Sequence, residues 1–331
     1  MLCFRLKITS NGKGDNLEEM DFPVLINTVV LMAILISSGL VLGHFVKPTP
    51  DVRQFLMTLI LNVALPSIIL HGIFQLEVDA HLFKQVVLVF LCAASLSIVG
   101  LLLSYGAAKL FKFTKDKEPE IAFLGGLGNT GIVGIPICTA LFGAKGALFA
   151  AVFDTGMCIT LWTLGVYLLN RHNGFSWTTV KSIITPPLLT AIGGLSLAAL
   201  NIRPTGIIYD VIQSFAQLTA PLSMIYVGLL IYLMVTQRTF QGVRLVTFPL
   251  VLKLIMVPAL ALVLLLLLDM DETLKMVVLI QATMPSLTTA SIIMARYKRD
   301  EHFAALTTLI SIILSLITIP GILMLGRWLL L

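Results

Sequence analysis

Charge is scarce in this sequence. Only 12% of its 331 residues are Asp, Glu, Lys or Arg, about half the share usual in a soluble domain, so a charged surface is not what keeps this chain in solution. Cysteine is scarcer: Cys3, Cys92, Cys138 and Cys158 include no C-x-x-C pair, and three of them sit inside apolar runs. Neither a disulfide framework nor a metal site is expected. H-E-x-x-H, G-x-S-x-G and Walker sequences are missing too, which removes common peptidase, hydrolase and nucleotide-binding readings. The net charge of +5 would suggest nucleic acid in a soluble chain. Here the basic residues lie mostly in short loops between apolar runs, where they set topology. No nucleic-acid partner, metal or cofactor is expected.

What is abundant is apolar sequence: 58% of residues are hydrophobic and the mean hydropathy is +1.00. A spanning helix needs about 20 apolar residues. Ten such runs stand out, at 22–46, 53–76, 82–111, 120–142, 147–170, 179–200, 207–236, 245–268, 273–295 and 303–329. The expected protein is an all-α, multi-pass membrane protein with a polar tail at 1–21 and one transmembrane domain over 22–331. The run from Phe22 to Val46 exceeds the apolar core of about 7–15 residues found in a signal peptide and reads as a retained span. A cleaved signal and a start at Met20 are the alternatives. Lys109, Lys112, Lys115, Lys117, Arg296, Lys298 and Arg299 crowd the odd-to-even loops. The positive-inside rule makes that side cytoplasmic and puts both termini outside, in a plasma or inner membrane.

The centre of the chain is Gly125-Gly126-Leu127-Gly128-Asn129-Thr130-Gly131-Ile132-Val133-Gly134-Ile135-Pro136. So many glycines and a proline cannot stay in one continuous helix, which is expected to open between Asn129 and Pro136. Open backbone at membrane depth survives only when buried in protein or lining a cavity. The half-helix that follows would aim its free N–H groups and positive dipole end into the gap, favouring an anion. Asn129 adds a neutral amide donor. Alternatively, the glycines only let another helix approach closely.

The chain also looks duplicated. Asn62-Val63-Ala64-Leu65-Pro66-Ser67 and Leu218-Thr219-Ala220-Pro221-Leu222-Ser223 are expected to interrupt the second and seventh spans. Pro136 and Gln281-Ala282-Thr283-Met284-Pro285-Ser286 do so in the fourth and ninth. Five spans per half means that the second copy, 179–329, enters the membrane opposite to the first, 22–170. Broken helices at matching positions of two inverted repeats point to a transporter's midplane site. The expected binding residues are Asn129, Thr130, Gly131 and Pro136, with Pro285, Ser286, Thr288 and Asn62. The hydroxyls of the ninth span could instead bond back to their own helix.

The run Asn129 to Pro136 with Ala140-Leu141-Phe142-Gly143 resembles the fourth-helix signature of the auxin efflux carrier family. Met284-Pro285-Ser286, Ala295-Arg296-Tyr297 and a closing helix with Pro320 resemble its second half. The resemblance implies broken fourth and ninth helices crossing at the membrane centre, in a fold similar to bile-acid symporters and sodium/proton antiporters. It also implies organic-anion substrates, either small carboxylates such as malate or malonate or auxin-like acids. No extended hydrophilic loop separates the fifth and sixth spans, which is similar to the bacterial branch rather than to the long plant carriers.

Charges within the spans are functional candidates by default. Asp154 and Lys253 could pair, bind substrate or carry a proton, and Lys253 could instead snorkel to the interface. His71 reads as structural. Gly126-Leu127-Gly128-Asn129 is close to the Gly-x-Gly-Asp motif of intramembrane aspartyl proteases, but an amide cannot share a proton with a second carboxylate. Nor do rings of identical charge suggest a channel. The expected activity is alternating-access transport of a small organic anion, not an enzyme. A sodium-coupled symporter is the runner-up. The expected partners are the anion, H⁺ or Na⁺, the lipid bilayer and a second copy of the chain in a homodimer.

Overall fold

A computed structural model describes residues 22–46, 48–170, 184–236 and 243–330. The tail at 1–21 and the short link from Arg171 to Thr178 lie outside the described residues. The described residues are mostly helical. The first helix, α1, is Phe22–Val46. Next, α2 (Pro50–Leu59) passes through one π turn at Ile60–Ala64 into α3 (Leu65–Phe74). Then come α4 (Ala80–Leu110), α5 (Lys117–Gly126), α6 (Ile135–Thr160) and α7 (Val166–Leu169). The second half holds α8 (Pro186–Ala199), α9 (Ile207–Thr236), α10 (Val243–Val251), α11 (Val257–Leu267), α12 (Glu272–Thr283), α13 (Ala290–Arg296) and α14 (Glu301–Leu330). Among the described residues, six helical stretches are long and apolar enough to cross a membrane: 50–74, 80–110, 130–169, 207–233, 245–267 and 301–330. The protein is an all-helical, multi-pass membrane protein.

Two of the expected interruptions are absorbed rather than open. In the second span the chain stays helical through the π turn at Ile60–Ala64, and Pro66 follows directly after that turn in α3, a π turn being one of the usual places where a helix adjusts to a proline. In the seventh, α9 continues through Pro221. The hydroxyl of Thr219 donates to the Ala64 carbonyl at 2.8 Å, so a side chain from one helix satisfies a backbone group at the irregular turn of the other. The expected boundary between the fourth and fifth spans is a kink within α6 at Gly143, whose φ of +56° with ψ of −135° favours glycine.

α1 lies along α9, and glycine decides how closely. A Cβ on Gly228 would fall 2.0 Å from the Ile36 carbonyl oxygen, and one on Gly39 would fall 2.2 Å from that of Ile225. Lipid supplies no hydrophobic force between helices, so such backbone contact is what holds them. The other helices gather around α6 and α12: α6 touches α3, α4 and α12, and α14 packs on α12 and α13. A second apolar cluster, with Leu101, Phe123, Leu250, Met294 and Phe303, fills the end where α5 begins and α13 stops.

Candidate functional site

The two remaining breaks face each other. α5 stops at Gly126, Leu127 is extended and Asn129 is non-helical. A π turn over Thr130–Gly134 then leads into α6. The opening therefore lies at Leu127 to Asn129, at the start of the expected stretch rather than at Pro136, which follows the π turn within continuing helix. In the ninth span α12 ends at Thr283, Met284 is extended and helix resumes at Ala290. Gly128 and Ser286 form an antiparallel bridge, and the Asn129 N–H donates to the Pro285 carbonyl at 2.8 Å. Each break thus satisfies backbone groups freed in the other. Residues 118–138 and 276–287 are buried without exception.

The expected site residues divide by position. Asn129, Thr130, Gly131, Pro285 and Ser286 meet at the crossing, and Asn129 Nδ2 points to Thr288 Oγ1 at a long 3.4 Å. Ser286 is fully enclosed: its hydroxyl donates to the Leu124 carbonyl at 2.9 Å, and its N–H donates to Ser311 Oγ at 3.1 Å. Asn62 is elsewhere, exposed on the π turn of the second span and donating to the Thr58 carbonyl of its own helix at 3.0 Å.

Asp154 and Lys253 sit at the crossing without pairing. Thr130 Oγ1 donates to Asp154 Oδ1 at 2.5 Å, and Cys158 Sγ lies 3.8 Å from Oδ2. Lys253 does not snorkel. It is 2% exposed and donates to the Ala282 carbonyl at 3.2 Å, while its Nζ would lie 2.8 Å from a Cβ on Gly128. The separation follows helix polarity. The carboxylate stands beside Thr130 and Gly131, where the fourth span resumes and N–H groups point out. The ammonium stands beside Ala282 and Gly128, at the carbonyl ends of α12 and α5. A charge so placed is stabilised by about 0.3–1 kcal/mol, and by up to about 2 kcal/mol when partly buried. Each side chain therefore lies beside a helix end whose polarity suits its charged form, rather than beside the other.

Sequence reasoning missed the supporting side chains. Gln281 is fully buried, its Nε2 donates to the Ala150 carbonyl at 3.1 Å, and a Cβ on Gly134 would meet its Oε1 at 2.0 Å. Ser97, Thr130, Lys253 and Gln281 line a cavity of about 10 Å³ behind the crossing, close to the least space that holds one water. From α14, Thr308 Oγ1 donates to the Leu287 carbonyl at 3.0 Å and Ser311 receives the Ser286 N–H. Thr308, Ser311 and Ser315 recur at helical spacing along one face, a signal visible in the sequence.

Comparison with known proteins gives the family. The model of the family described as membrane transport protein matches residues 24–178 and 175–323. An uncharacterized transporter of Methanocaldococcus jannaschii is 26% identical over 303 residues, covering 88% of this chain and 96% of that protein. Another, from Methanothermobacter thermautotrophicus, is 23% identical over 294 residues, covering 88% of this chain and 95% of that protein. The chain belongs to the membrane transport protein family, that of the auxin efflux carriers, and is a transporter rather than an enzyme.

Proposed function

We propose that the protein carries a small organic anion, a carboxylate of the malate or malonate class or an auxin-like acid, across the cell membrane by alternating access. The observation that carries this reading is the crossing of two buried helix breaks, with the amide of Asn129 and the hydroxyl of Thr288 only loosely bonded to each other at 3.4 Å. Both groups can turn to a carboxylate, Thr288 being half-buried at the rim. The polarity of the resumed fourth span favours an anion there. Asp154, held by Thr130, is the group through which H⁺ could couple.

The architecture that goes with this function is ten spans in two inverted repeats with both termini outside. It is supported by which residues touch. Ala64 meets Thr219, 155 positions later, and Asn129 meets Pro285, an offset of 285 − 129 = 156. Copies related by a two-fold axis touch at equivalent residues only on that axis, and two contacts at nearly equal offsets, 155 and 156, support that arrangement. The test is flux in proteoliposomes with a panel of mono- and dicarboxylates, with and without Na⁺ and with and without a pH gradient. Saturable carboxylate flux is expected. Flux that requires Na⁺ would transfer the reading to a sodium-coupled symporter, and no carboxylate flux under any condition would overturn it.

A further inference from the structure

The connection after α4 and the one after α13 form one surface. Lys117 Nζ lies 2.6 Å from Asp300 Oδ2 and 2.8 Å from Glu120 Oε2, and Arg299 Nη1 lies 3.5 Å from Asp116 Oδ1. Arg299 also donates from Nε to the Leu169 carbonyl at 2.9 Å. Three acids, Asp300, Glu120 and Asp116, are thereby drawn into this network, and Glu118 accepts from Tyr105 nearby in the chain. Glu301 stays exposed at the N-terminal end of α14, where a negative charge is favoured. Lys109, Lys112, Lys115, Arg296 and Lys298 are exposed on these two connections or in the last turn of the helix before each, and none belongs to an ion pair among the described residues. Beside them, Leu110 is 77% and Phe111 67% exposed.

Two of these lysines stand where lysine is costly. Lys112 and Lys298 have φ of +56° and +54°. Each closes its helix with the same pair of bonds: Lys112 N–H to the Lys109 carbonyl and Phe113 N–H to Ala108, then Lys298 N–H to Ala295 and Arg299 N–H to Met294. Glycine or asparagine normally fills that position. α8 ends in the same motif with asparagine in it: Asn201, φ +57°, donates to Ala198 and Ile202 donates to Leu197. That end lies on the other face, since Arg203 donates to the Phe74 and Leu76 carbonyls and the 31-residue α4 separates Ala80 from Leu110. The same cap carries asparagine on one face and lysine, twice, on the other.

We infer that these five cations, with Leu110 and Phe111 beside them, form a binding surface for the headgroups of anionic phospholipids. Clustered lysine and arginine directly beyond a spanning helix attract anionic headgroups, and the exposed Leu110 and Phe111 suit the apolar layer beneath them. The assignment rests on the transmembrane reading, not on the identity of any substrate.

The test needs no transport. The purified full chain in a neutral detergent is melted with added phosphatidylglycerol, phosphatidylcholine or inorganic phosphate. Phosphatidylglycerol is expected to raise the melting temperature beyond phosphatidylcholine, with no effect of phosphate. Lys112→Asn with Lys298→Asn is expected to fold at least as well without lipid, because asparagine suits positive φ, yet to lose part of the phosphatidylglycerol-specific shift. Adding Lys109→Gln, Lys115→Gln and Arg296→Gln is expected to abolish it. Lys84→Gln with Lys145→Gln, which removes two exposed cations elsewhere, is expected to leave it intact. An unchanged shift in the quintuple variant, an equal loss in the Lys84/Lys145 control, no preference for phosphatidylglycerol in the parent, or an equal response to phosphate would each overturn the assignment. Carboxylate flux that fails while the shift persists would count against the proposed function alone.

Discussion

Thr130→Val tests how the crossing is held. The two side chains have nearly the same shape, so the change deletes one hydroxyl and little volume. That hydroxyl donates at 2.5 Å to Asp154 Oδ1, with Thr130 1% and Asp154 7% exposed. The remaining side-chain donor to the carboxylate is the weak thiol of Cys158 at 3.8 Å. A hydrogen bond to an ionised group contributes about 1.5–3 kcal/mol and a neutral one about 0.5–1.5 kcal/mol. Thr130→Val should therefore cost about 1.5–3 kcal/mol in the parent. In an Asp154→Asn background it should cost about 0.5–1.5 kcal/mol, since the amide oxygen still accepts but carries no charge. The difference, about 1 kcal/mol, is the coupling energy of the cycle. Reversible unfolding in mixed micelles, followed by circular dichroism for the four proteins, reads it directly. Equal penalties in both backgrounds would refute an ionised Asp154 anchored by Thr130, and a Thr130→Val protein as stable as the parent would refute the anchor itself.

Asn129→Ala removes an amide whose bond to Thr288 is long, so folding should change little. Binding of malate, read by isothermal titration, should weaken by roughly 10- to 150-fold. Asn129→Asp should weaken it further by setting a like charge against the anion, and retention of parental affinity would place the anion elsewhere. Gly228→Ala forces a Cβ to within 2.0 Å of the Ile36 carbonyl oxygen. Backbone must separate, and a loss of about 1–3 kcal/mol is expected in the same unfolding assay, whereas Gly193→Ala, with nothing within 4 Å, should be neutral or stabilising. The Lys117–Asp300 pair gives a pH dependence. Burial opposes the charge on each, but their mutual hydrogen bond and attraction, together with Glu120 beside Lys117 and the Phe303 N–H and His302 beside Asp300, outweigh it, lowering the Asp300 carboxyl and raising the Lys117 amine. The Asp300 contribution is present above its unfolded value near 3.9 and fades as pH falls through the lower folded value. That of Lys117 is present below about 10.4 and fades as pH rises through the raised one. Asp300→Asn should flatten the acid limb by no more than about 1 kcal/mol, given a side chain 42% exposed. An unchanged acid limb would show that the pair contributes nothing.

Local chemistry made much of this protein legible in its sequence. Long apolar runs have no stable place but a membrane, and a string of glycines ending in proline cannot remain one helix. The all-helical membrane class, the break near Asn129 and its counterpart at Pro285 therefore follow from residues alone. Local chemistry could not say how each irregularity is resolved. Pro66, Pro221, Pro136 and Pro285 look alike in sequence, yet Pro66 and Pro136 each follow a π turn and Pro221 stays inside one helix, while the chain opens at Leu127–Asn129 and around Pro285. The choice depends on whether another backbone stands opposite to take the freed groups, and that is a property of packing. The same holds for Asp154 and Lys253. Their types marked them as buried charges, but only the folded arrangement of half-helices set one against N–H ends and the other against carbonyl ends. Asn62, polar and a few residues ahead of a proline as Asn129 is, is turned outward because its helix never opened. Sequence determined where the backbone could break; tertiary structure decided which breaks face each other, since satisfying a freed N–H or carbonyl away from water takes a partner from a distant part of the chain.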